Sequence, residues 1–225
     1  MLINRLASCV IYMNGFIDFW INVEPDMVSH VVDIASKLGY SALCIEDKGF
    51  DWRVKRLNVG DYKIVLVKKK TLIEAGEDDL KEKLRGIKTI YPIVSVKPIG
   101  IQAARLSARD GRVDTVVLDK DTINFIDKTQ ARMMKEYRKI LEVPLNSLLK
   151  SSRREKAMIY RRLLMFYYYG VPIIYSSGAC EWNELMHPRS IIELLSSILD
   201  VDPKNIALSI SSVPREILLR NGVKI

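Results

Sequence analysis

Short runs rich in Val and Ile alternate with helical stretches along nearly the whole chain, and few folds accept this alternation. Strands that alternate with helices form parallel sheets joined by right-handed crossovers. Eight such units are the number that closes a barrel. The predicted strands are GFIDFWI (15–21), SALCIE (41–46), KIVLVKKK (63–70), TIYPIVSV (89–96), DTVVLD (114–119), ILEVPLNSLL with its loop (140–149), VPIIYSSG (171–178) and IALSISS (206–212).

The predicted fold class is therefore α/β, as a single TIM-like (β/α)8 barrel over residues 1–225. The second unit is predicted to be irregular, because DKGFDWRVKRLNVGDY (47–62) is polar, charged and more loop than helix. A long helix is predicted in 151–170, with Ser151 or Ser152 as its N-cap and Gly170 at its C-terminal end.

The first predicted strand and the residue directly after it, FIDFWIN (16–22), carry Asp18, Trp20 and Asn22 at alternate positions, where many barrel hydrolases have Asp-x-His-x-His. An indole offers no lone pair to a metal and an amide is a weak ligand. The whole chain holds only two histidines. We therefore predict no metal site and no catalytic residue, with Asp18 as a hydrogen-bonded structural acid. A magnesium site of carboxylates from Asp18, Glu46 and Asp119 is the alternative, because hard cations accept oxygen ligands alone.

The segment SSGAC (176–180) does not match the G-x-S-x-G nucleophile elbow. His187 directly precedes a Pro-Arg helix start, which favours a surface or capping role over catalysis. Gly178 follows two serines, so its turn could offer exposed amides to a phosphate. A plain strand-to-helix turn is the alternative interpretation.

The chain has 35 Lys and Arg against 27 Asp and Glu, a formal net charge of +8 that suits an anionic partner such as RNA. Arginine forks match phosphate oxygens, whereas a solvated helix face is the alternative for any charged run. Tyr167–Tyr169 could stack on bases, but helical spacing favours packing. Basic residues stand at strand ends or crowd on predicted helices at Lys68, Lys97, Arg105, Arg109, Arg112, Arg153, Arg154, Lys156, Arg161 and Arg162.

Four motifs in the same order and spacing resemble the ribonuclease P protein component 3 family. They are QAARLSARDGRVD (102–114), Phe125 followed by Gln130-Ala131, VPIIYSSGA (171–179) with Pro188-Arg189 behind it, and LSISSVPREILLRN (208–221). The resemblance covers nearly the whole chain, is densest after residue 89 and is weakest in 47–62. It implies a TIM-like barrel related to the PHP metal-dependent phosphoesterases but without their metal ligands.

The resemblance also implies a role as one protein subunit of the RNA-containing endonuclease that removes the 5′ leader of precursor tRNA. In that enzyme the RNA carries catalysis and binds the magnesium, so no cofactor is expected on this chain. The implied partners are the catalytic RNA, the small subunit called protein component 2, the other protein subunits and, indirectly, precursor tRNA. The positions that match the family motifs are Arg105, Arg109, Arg112, Ser176, Ser177, Arg189, Arg215 and Asn221.

The expected location is cytoplasmic, with no membrane partner. No apolar run reaches the length of a membrane span, and MLINRLASCV lacks the pattern of a signal peptide. The three cysteines have no CxxC spacing and are predicted to be reduced, buried thiols. Two rival functions are a PHP-like phosphoesterase with carboxylate ligands and a barrel that serves only as a protein scaffold.

Overall fold

The structure, a computed structural model, describes residues 15–225. Seven parallel strands form a barrel wall, and an eighth pairs antiparallel with one of them. The strands are β1 (Phe16–Ile21), β2 (Tyr40–Glu46), β3 (Val54–Val59), β4 (Tyr62–Glu74), β5 (Ile93–Pro98), β6 (Thr115–Val117), β7 (Ile140–Pro144) and β8 (Ile173–Ser176). The order around the wall is β1-β2-β4-β5-β6-β7-β8, and β3 lies outside it against β4.

Helices cover the outside of the barrel and one end of it. Ile217 and Leu218, in the last helix, join the apolar cluster that fills the barrel interior. The helices are α1 (Val28–Lys37), α2 (Glu77–Lys83), α3 (Ile87–Ile90), α4 (Ile101–Arg109), α5 (Lys128–Glu136), α6 (Leu145–Lys150), α7 (Arg153–Tyr168), α8 (Pro188–Leu199), α9 (Pro203–Ser209) and α10 (Ser212–Arg220), with 3-10 turns at Pro25–Met27 and Trp182–Glu184.

The barrel closes between β8 and β1 through backbone hydrogen bonds. The amide of Asn22 donates to the carbonyl of Ala179 at 2.7 Å, and the amide of Gly178 donates to the carbonyl of Trp20 at 2.9 Å. At the other end of β1, the amide of Ile17 donates to the carbonyl of Ile210 at 2.9 Å. The predicted α/β barrel is confirmed, and its parallel wall has seven strands within residues 15–225.

The predicted eighth strand, IALSISS (206–212), is wrong, because this segment lies mainly in α9 and the start of α10. Asp202 caps α9 by accepting from the amide of Lys204 at 2.8 Å, and Pro203 occupies the first helical position. Ile206 and Ile210, four residues apart, are both buried. A short apolar run fits a buried helix as well as a strand, and these start signals decide for the helix.

The irregular second unit is a hairpin rather than a loop. β3 pairs with β4 from Val54 opposite Val67 to Val59 opposite Tyr62. Gly60 and Asp61 form the two-residue turn, and Gly60 has φ +57°, a conformation that suits glycine at the first turn position. β4 is also longer than predicted, so Lys68–Lys70 lie inside the strand and not at its end.

Several local predictions are decided by the structure. Ser152, one of the two predicted N-caps, caps α7, and the structure adds a capping box with Glu155. Gly170 follows the helix at φ +65°. The prediction of buried thiols is right for Cys44 and wrong for Cys180, which is exposed; Cys9 lies outside the described residues. No helix between residues 15 and 225 is both long and apolar enough to cross a membrane.

Candidate functional site

A buried ion pair occupies the barrel interior. The ammonium of Lys69 lies 2.5 Å from Oε1 of Glu142, and both side chains are fully buried. Lys69 also donates to the carbonyl of Phe19 at 2.9 Å and lies 4.8 Å from the ring centroid of Trp20. The two charges come from β4 and β7, on opposite sides of the wall. Pairing with hydrogen bonds is what permits charges in such a position.

Three hydroxyl groups donate further hydrogen bonds to the Glu142 carboxylate. Ser176 donates to Oε1 at 3.2 Å, while Ser95 and Thr115 donate to Oε2 at 2.9 Å and 2.6 Å. All three hydroxyl residues are buried in the barrel. Both carboxylate oxygens are therefore engaged by protein donors. Sequence reasoning missed Lys69 and Glu142 as a pair, because nothing in the sequence connects residues 73 positions apart.

Asp18 lies at the seam between β1 and β8. Its Oδ1 accepts from the amide of Trp20 at 3.2 Å and from that of Ser177 at 3.0 Å, which confirms the predicted structural acid. Burial raises the pKa of Asp18 to about 6, against the opposing effect of these hydrogen bonds and of Lys69. Within residues 15–225, its Oδ2 and the buried Nε1 of Trp20 have no hydrogen-bond partner.

The three carboxylates of the alternative magnesium site each have separate partners. Glu46 accepts from the amide and the hydroxyl of Thr71 at 2.8 Å and 2.7 Å. Asp119 pairs with Lys97 at 2.6 Å. In the part of the chain that the structure describes, no three His, Cys, Asp or Glu side chains are grouped so that they could hold a metal ion.

The residues of the SSG turn direct their amides inward. The amide of Ser177 donates to Asp18 and that of Gly178 to the carbonyl of Trp20, while the amide of Ala179 donates to Oγ of Ser177 at 3.1 Å. Ser176 and Ser177 are both buried. The turn therefore closes the barrel, which favours the plain turn over an exposed phosphate site.

Both lysines predicted as binding residues are engaged inside the protein. The Lys68 ammonium is nearly buried, donates to the carbonyl of Phe50 at 2.6 Å and lies 3.6 Å from Oδ1 of Asp47. Lys97 lies 2.6 Å from both Asp119 and Asp121. Partial burial lowers the pKa of Lys97, but the hydrogen bonds that its ammonium donates to the two carboxylates outweigh this effect and raise that pKa.

Arg105, Arg109 and Arg112 do not form one patch of free charge, because each has its own carboxylate partner. Arg105 donates to Asp127 at 2.7 Å and Arg109 donates to Glu77 at 2.9 Å. Arg112 grips Asp110 with two nitrogens, Nε at 2.9 Å and Nη2 at 2.6 Å. This bidentate pair lowers the pKa of Asp110. The carboxylates belong to α2, to the end of α4 and to the start of α5.

Three further motif positions near the C-terminus also make internal contacts. Arg189 pairs with Glu193 at 2.8 Å, next to His187, whose Nδ1 accepts from the amide of Arg189. His187 is therefore a capping residue, as predicted. Arg215 donates to the carbonyl of Ile225 at 3.3 Å, and Asn221 donates to Oδ1 of Asp114 at 2.9 Å.

Helix α7 differs, because its cations have no such partners among the residues that the structure describes. Arg153 and Arg154 are exposed in its first turn, and neither forms an ion pair with any described residue. The sole acid of the helix, Glu155, is used to cap it. The cations that share this property are Arg153, Arg154, Lys156, Arg161 and Arg162. Five cations against one acid make α7 the most basic helix within residues 15–225.

A stability comparison separates paired from unpaired arginines. Arg105→Ala is expected to lower the free energy of unfolding by about 1–2 kcal/mol, because the link from α4 to Asp127 and Gln130 is lost. Arg153→Ala should change it by less than about 0.5 kcal/mol, as is usual at an exposed site. Urea denaturation measures both. If Arg105→Ala lowers the free energy of unfolding as little as is expected of Arg153→Ala, Arg105 has no structural role.

A family model described as RNase P subunit p30 matches residues 15–225. The chain belongs to this family. It is therefore a protein subunit of ribonuclease P, the tRNA-processing endonuclease, as the motifs of the sequence predicted. The ribonuclease P protein component 3 of Aeropyrum pernix is 27% identical over 183 residues, which cover 78% of this chain and 84% of that protein.

Solved structures agree on the fold. One chain of an archaeal ribonuclease P, determined by cryo-EM with mature tRNA, matches with a TM-score of 0.72 at 17% identity. The match covers 91% of this chain and 90% of that chain. An uncharacterized protein has a TM-score of 0.62 at 12% identity, covering 93% and 75%. An amidohydrolase has a TM-score of 0.57 at 10% identity, covering 91% and 74%. The predicted TIM-like α/β fold is confirmed by these similarities.

Proposed function

We propose that this subunit neutralises and positions phosphates of the catalytic RNA in ribonuclease P, and that it carries no catalysis itself. The observation that carries the proposal is the set of five cations on α7 without an ion-pair partner in residues 15–225. An exposed arginine with no internal carboxylate is available to a phosphate, whose two oxygens its planar fork matches. Neutralisation reduces phosphate repulsion, so the RNA folds at a lower magnesium concentration.

The barrel interior supports the non-catalytic part of the proposal. Active sites of TIM barrels lie at the carboxyl ends of the strands. Here Glu142 is neutralised by Lys69 and hydrogen-bonded by three hydroxyls, so it is not available as an acid, a base or a ligand. The proposal therefore assigns no catalytic residue and no metal to this chain and assigns the magnesium to the RNA.

The proposed partners are the catalytic RNA, protein component 2, the other protein subunits and, indirectly, precursor tRNA, all in the cytoplasm. The similarity to a chain from archaeal ribonuclease P with mature tRNA supports assembly into such a particle. Among the proposed binding residues, Arg153 and Arg154 rank first, because the others make internal contacts. Those others are Lys68, Lys97, Arg105, Arg109, Arg112, Ser176, Ser177, Arg189 and Arg215.

Reconstituted cleavage of precursor tRNA tests the proposal. Cleavage with this chain and protein component 2 is expected to need less magnesium than cleavage by the RNA alone. The variant Arg153→Ala/Arg154→Ala should raise the requirement, and it should reduce the slope of log affinity against log salt by about 1.4–1.8 if each arginine meets one phosphate. Magnesium titration of the cleavage rate and salt titration of RNA binding provide the measurements.

The matched control removes two cations elsewhere. Lys63 and Arg85 are exposed and form no ion pair within residues 15–225, so Lys63→Ala/Arg85→Ala changes the net charge equally. It should leave the magnesium requirement near that of the wild type. An unchanged requirement with and without the wild-type chain would overturn the proposal.

The enzyme-class rival, a PHP-like phosphoesterase, predicts stoichiometric metal on the pure chain and turnover of a simple phosphodiester without RNA. Such turnover, lost in Asp18→Ala, would favour this rival. The scaffold-only rival predicts partner binding that responds neither to salt nor to removal of Arg153 and Arg154. Metal analysis, the phosphodiester assay and the salt titration together separate the three functions.

A further inference from the structure

An open cleft lies between α7 and the loop that follows β6. Ile123 and Asn124 form the loop side, and Met158, Arg161, Arg162 and Met165 form the helix side. Its volume is about 580 Å³. This is within the range of about 300–1,000 Å³ that is typical of clefts for small molecules. Arg161 and Arg162 are among the five cations of the proposed function, whereas the cleft that they form with the other four residues has no part in it.

The walls of the cleft combine an apolar surface with unused polar groups. Ile123 on the loop side is buried, and Met158 on the helix side is 36% exposed. Asn124 is exposed, and its amide makes no hydrogen bond with any residue in the described range. Arg161 and Arg162 have no ion-pair partner there either. An amide that can donate and accept thus stands beside the apolar side chains of Ile123, Met158 and Met165 and two guanidinium groups.

The cleft continues along the helix toward more positive charge. Arg154, Met158, Arg161 and Met165 follow one another at spacings of four, three and four residues, which places them in one stripe of α7. Arg154 therefore lies one turn beyond Met158, in line with the cleft. Tyr168, three residues after Met165, is 86% exposed at the other end of the helix.

We propose that this cleft binds one unpaired nucleotide of an RNA strand. Its base would lie against Met158 and Met165, with its edge at the Asn124 amide. The guanidinium groups of Arg161 and Arg162 would contact its phosphate or stack on its base, and Arg154 would meet the adjoining phosphate. An unpaired base presents a planar apolar face, a hydrogen-bonding edge and an anion, and these are the three features that the cleft complements.

Two other occupants fit less well. Paired RNA keeps its bases stacked inside the helix, so it would use the arginines and leave the apolar wall unused. A protein partner would need acidic side chains opposite Arg154, Arg161 and Arg162, since burying unpaired guanidinium groups is costly. This inference rests on the proposed function, because it names the part of the RNA that one surface of the subunit recognises.

The test uses reconstituted ribonuclease P whose catalytic RNA carries photoreactive 4-thiouridine. Crosslinked peptides from this chain are expected to contain Asn124 or residues 158–165. In Arg161→Ala/Arg162→Ala these crosslinks should be lost, and full-chain affinity for a single-stranded oligouridylate should fall at least about tenfold, as loss of a base contact predicts. Affinity for a duplex of equal length should fall less.

Two further variants control for charge and for folding. Arg161→Lys/Arg162→Lys keeps the charge but removes the planar forks, so it should retain duplex binding and lose most of the preference for single strands. Lys63→Ala/Arg85→Ala, which removes two cations elsewhere, should leave the crosslinks in place. Alanine and lysine are both good helix formers, so α7 should persist in both arginine variants.

Three outcomes would overturn the inference: crosslinks only at other surfaces, crosslinks unchanged in Arg161→Ala/Arg162→Ala, or another protein subunit covering Met158 in the particle. The proposed function is judged separately. If wild-type chain lowers the magnesium requirement while the cleft shows no crosslink, the proposed function stands and the cleft inference fails. If the wild-type chain does not lower it, the proposed function fails whatever the crosslinks show.

Discussion

Replacing Lys69 by methionine is expected to lower the free energy of unfolding by about 3–5 kcal/mol, the usual consequence of removing one partner of a buried ion pair. Methionine fills a similar volume but leaves the carboxylate of Glu142 uncompensated among Ser95, Thr115 and Ser176. Three hydroxyl donors stabilise that charge only in part. Urea denaturation of the full chain measures the loss.

The second partner provides the decisive comparison. Lys69→Met/Glu142→Gln removes both charges and should recover a large part of the lost stability, because a neutral amide in the barrel carries a much smaller desolvation penalty. Lys70→Met is the matched control: the neighbouring side chain points to the other face of β4 and is partly exposed. If the double variant loses as much stability as Lys69→Met and Glu142→Gln added together, the two charges are not coupled.

The free energy of unfolding of Asp18→Asn, compared with that of the wild type at the same pH, is expected to increase as the pH rises. The pKa of Asp18 is raised from 3.8 to about 6 in the folded protein, so the folded state binds the proton more tightly than the unfolded state. Stability is therefore lost as pH rises through this interval, since ionising a buried acid opposes folding. Each pKa unit corresponds to about 1.4 kcal/mol, so the full effect is about 3 kcal/mol.

The measurement is the difference in unfolding free energy between Asp18→Asn and the wild type at several pH values. It should move in favour of the variant by about 2 kcal/mol between about pH 4 and pH 8, most of the full effect. The asparagine oxygen can still accept from the amides of Trp20 and Ser177, so the fold should be kept. Asp51→Asn, at an exposed carboxyl, is the control and should show little change. A pH-independent difference for Asp18→Asn would mean that Asp18 is ionised in the fold at little cost.

Much of the barrel could be predicted from the sequence, because its signals are local. Ser152 and Glu155 form the capping box of α7 within four residues, and DTVVLD reads as a strand because its apolar run is continuous. The weak point was IALSISS, where a strand and a buried helix share one apolar pattern. The hairpin of β3 was also missed, since half-exposed strands with charged side chains resemble a loop.

The basic residues show most clearly where local signals end. The run of arginines around residues 105–112 and the run on α7 look alike in the sequence. Only the fold brings Glu77 to Arg109 and Asp127 to Arg105, while no carboxylate within residues 15–225 comes to Arg153 or Arg154. Whether a charge is available to a partner depends on residues that are distant along the chain.

The sequence by itself determined the alternating barrel units, the loss of imidazole ligands at Trp20 and Asn22, and the family motifs. The tertiary structure alone decided that seven parallel strands close the wall, that Lys69 meets Glu142 at its centre, and that five cations of α7 lie beside a cleft without an ion-pair partner in residues 15–225. The physical reason is the range of the interactions. Capping and periodicity act over a few residues, whereas the burial and pairing of charges depend on which distant strands and helices become neighbours.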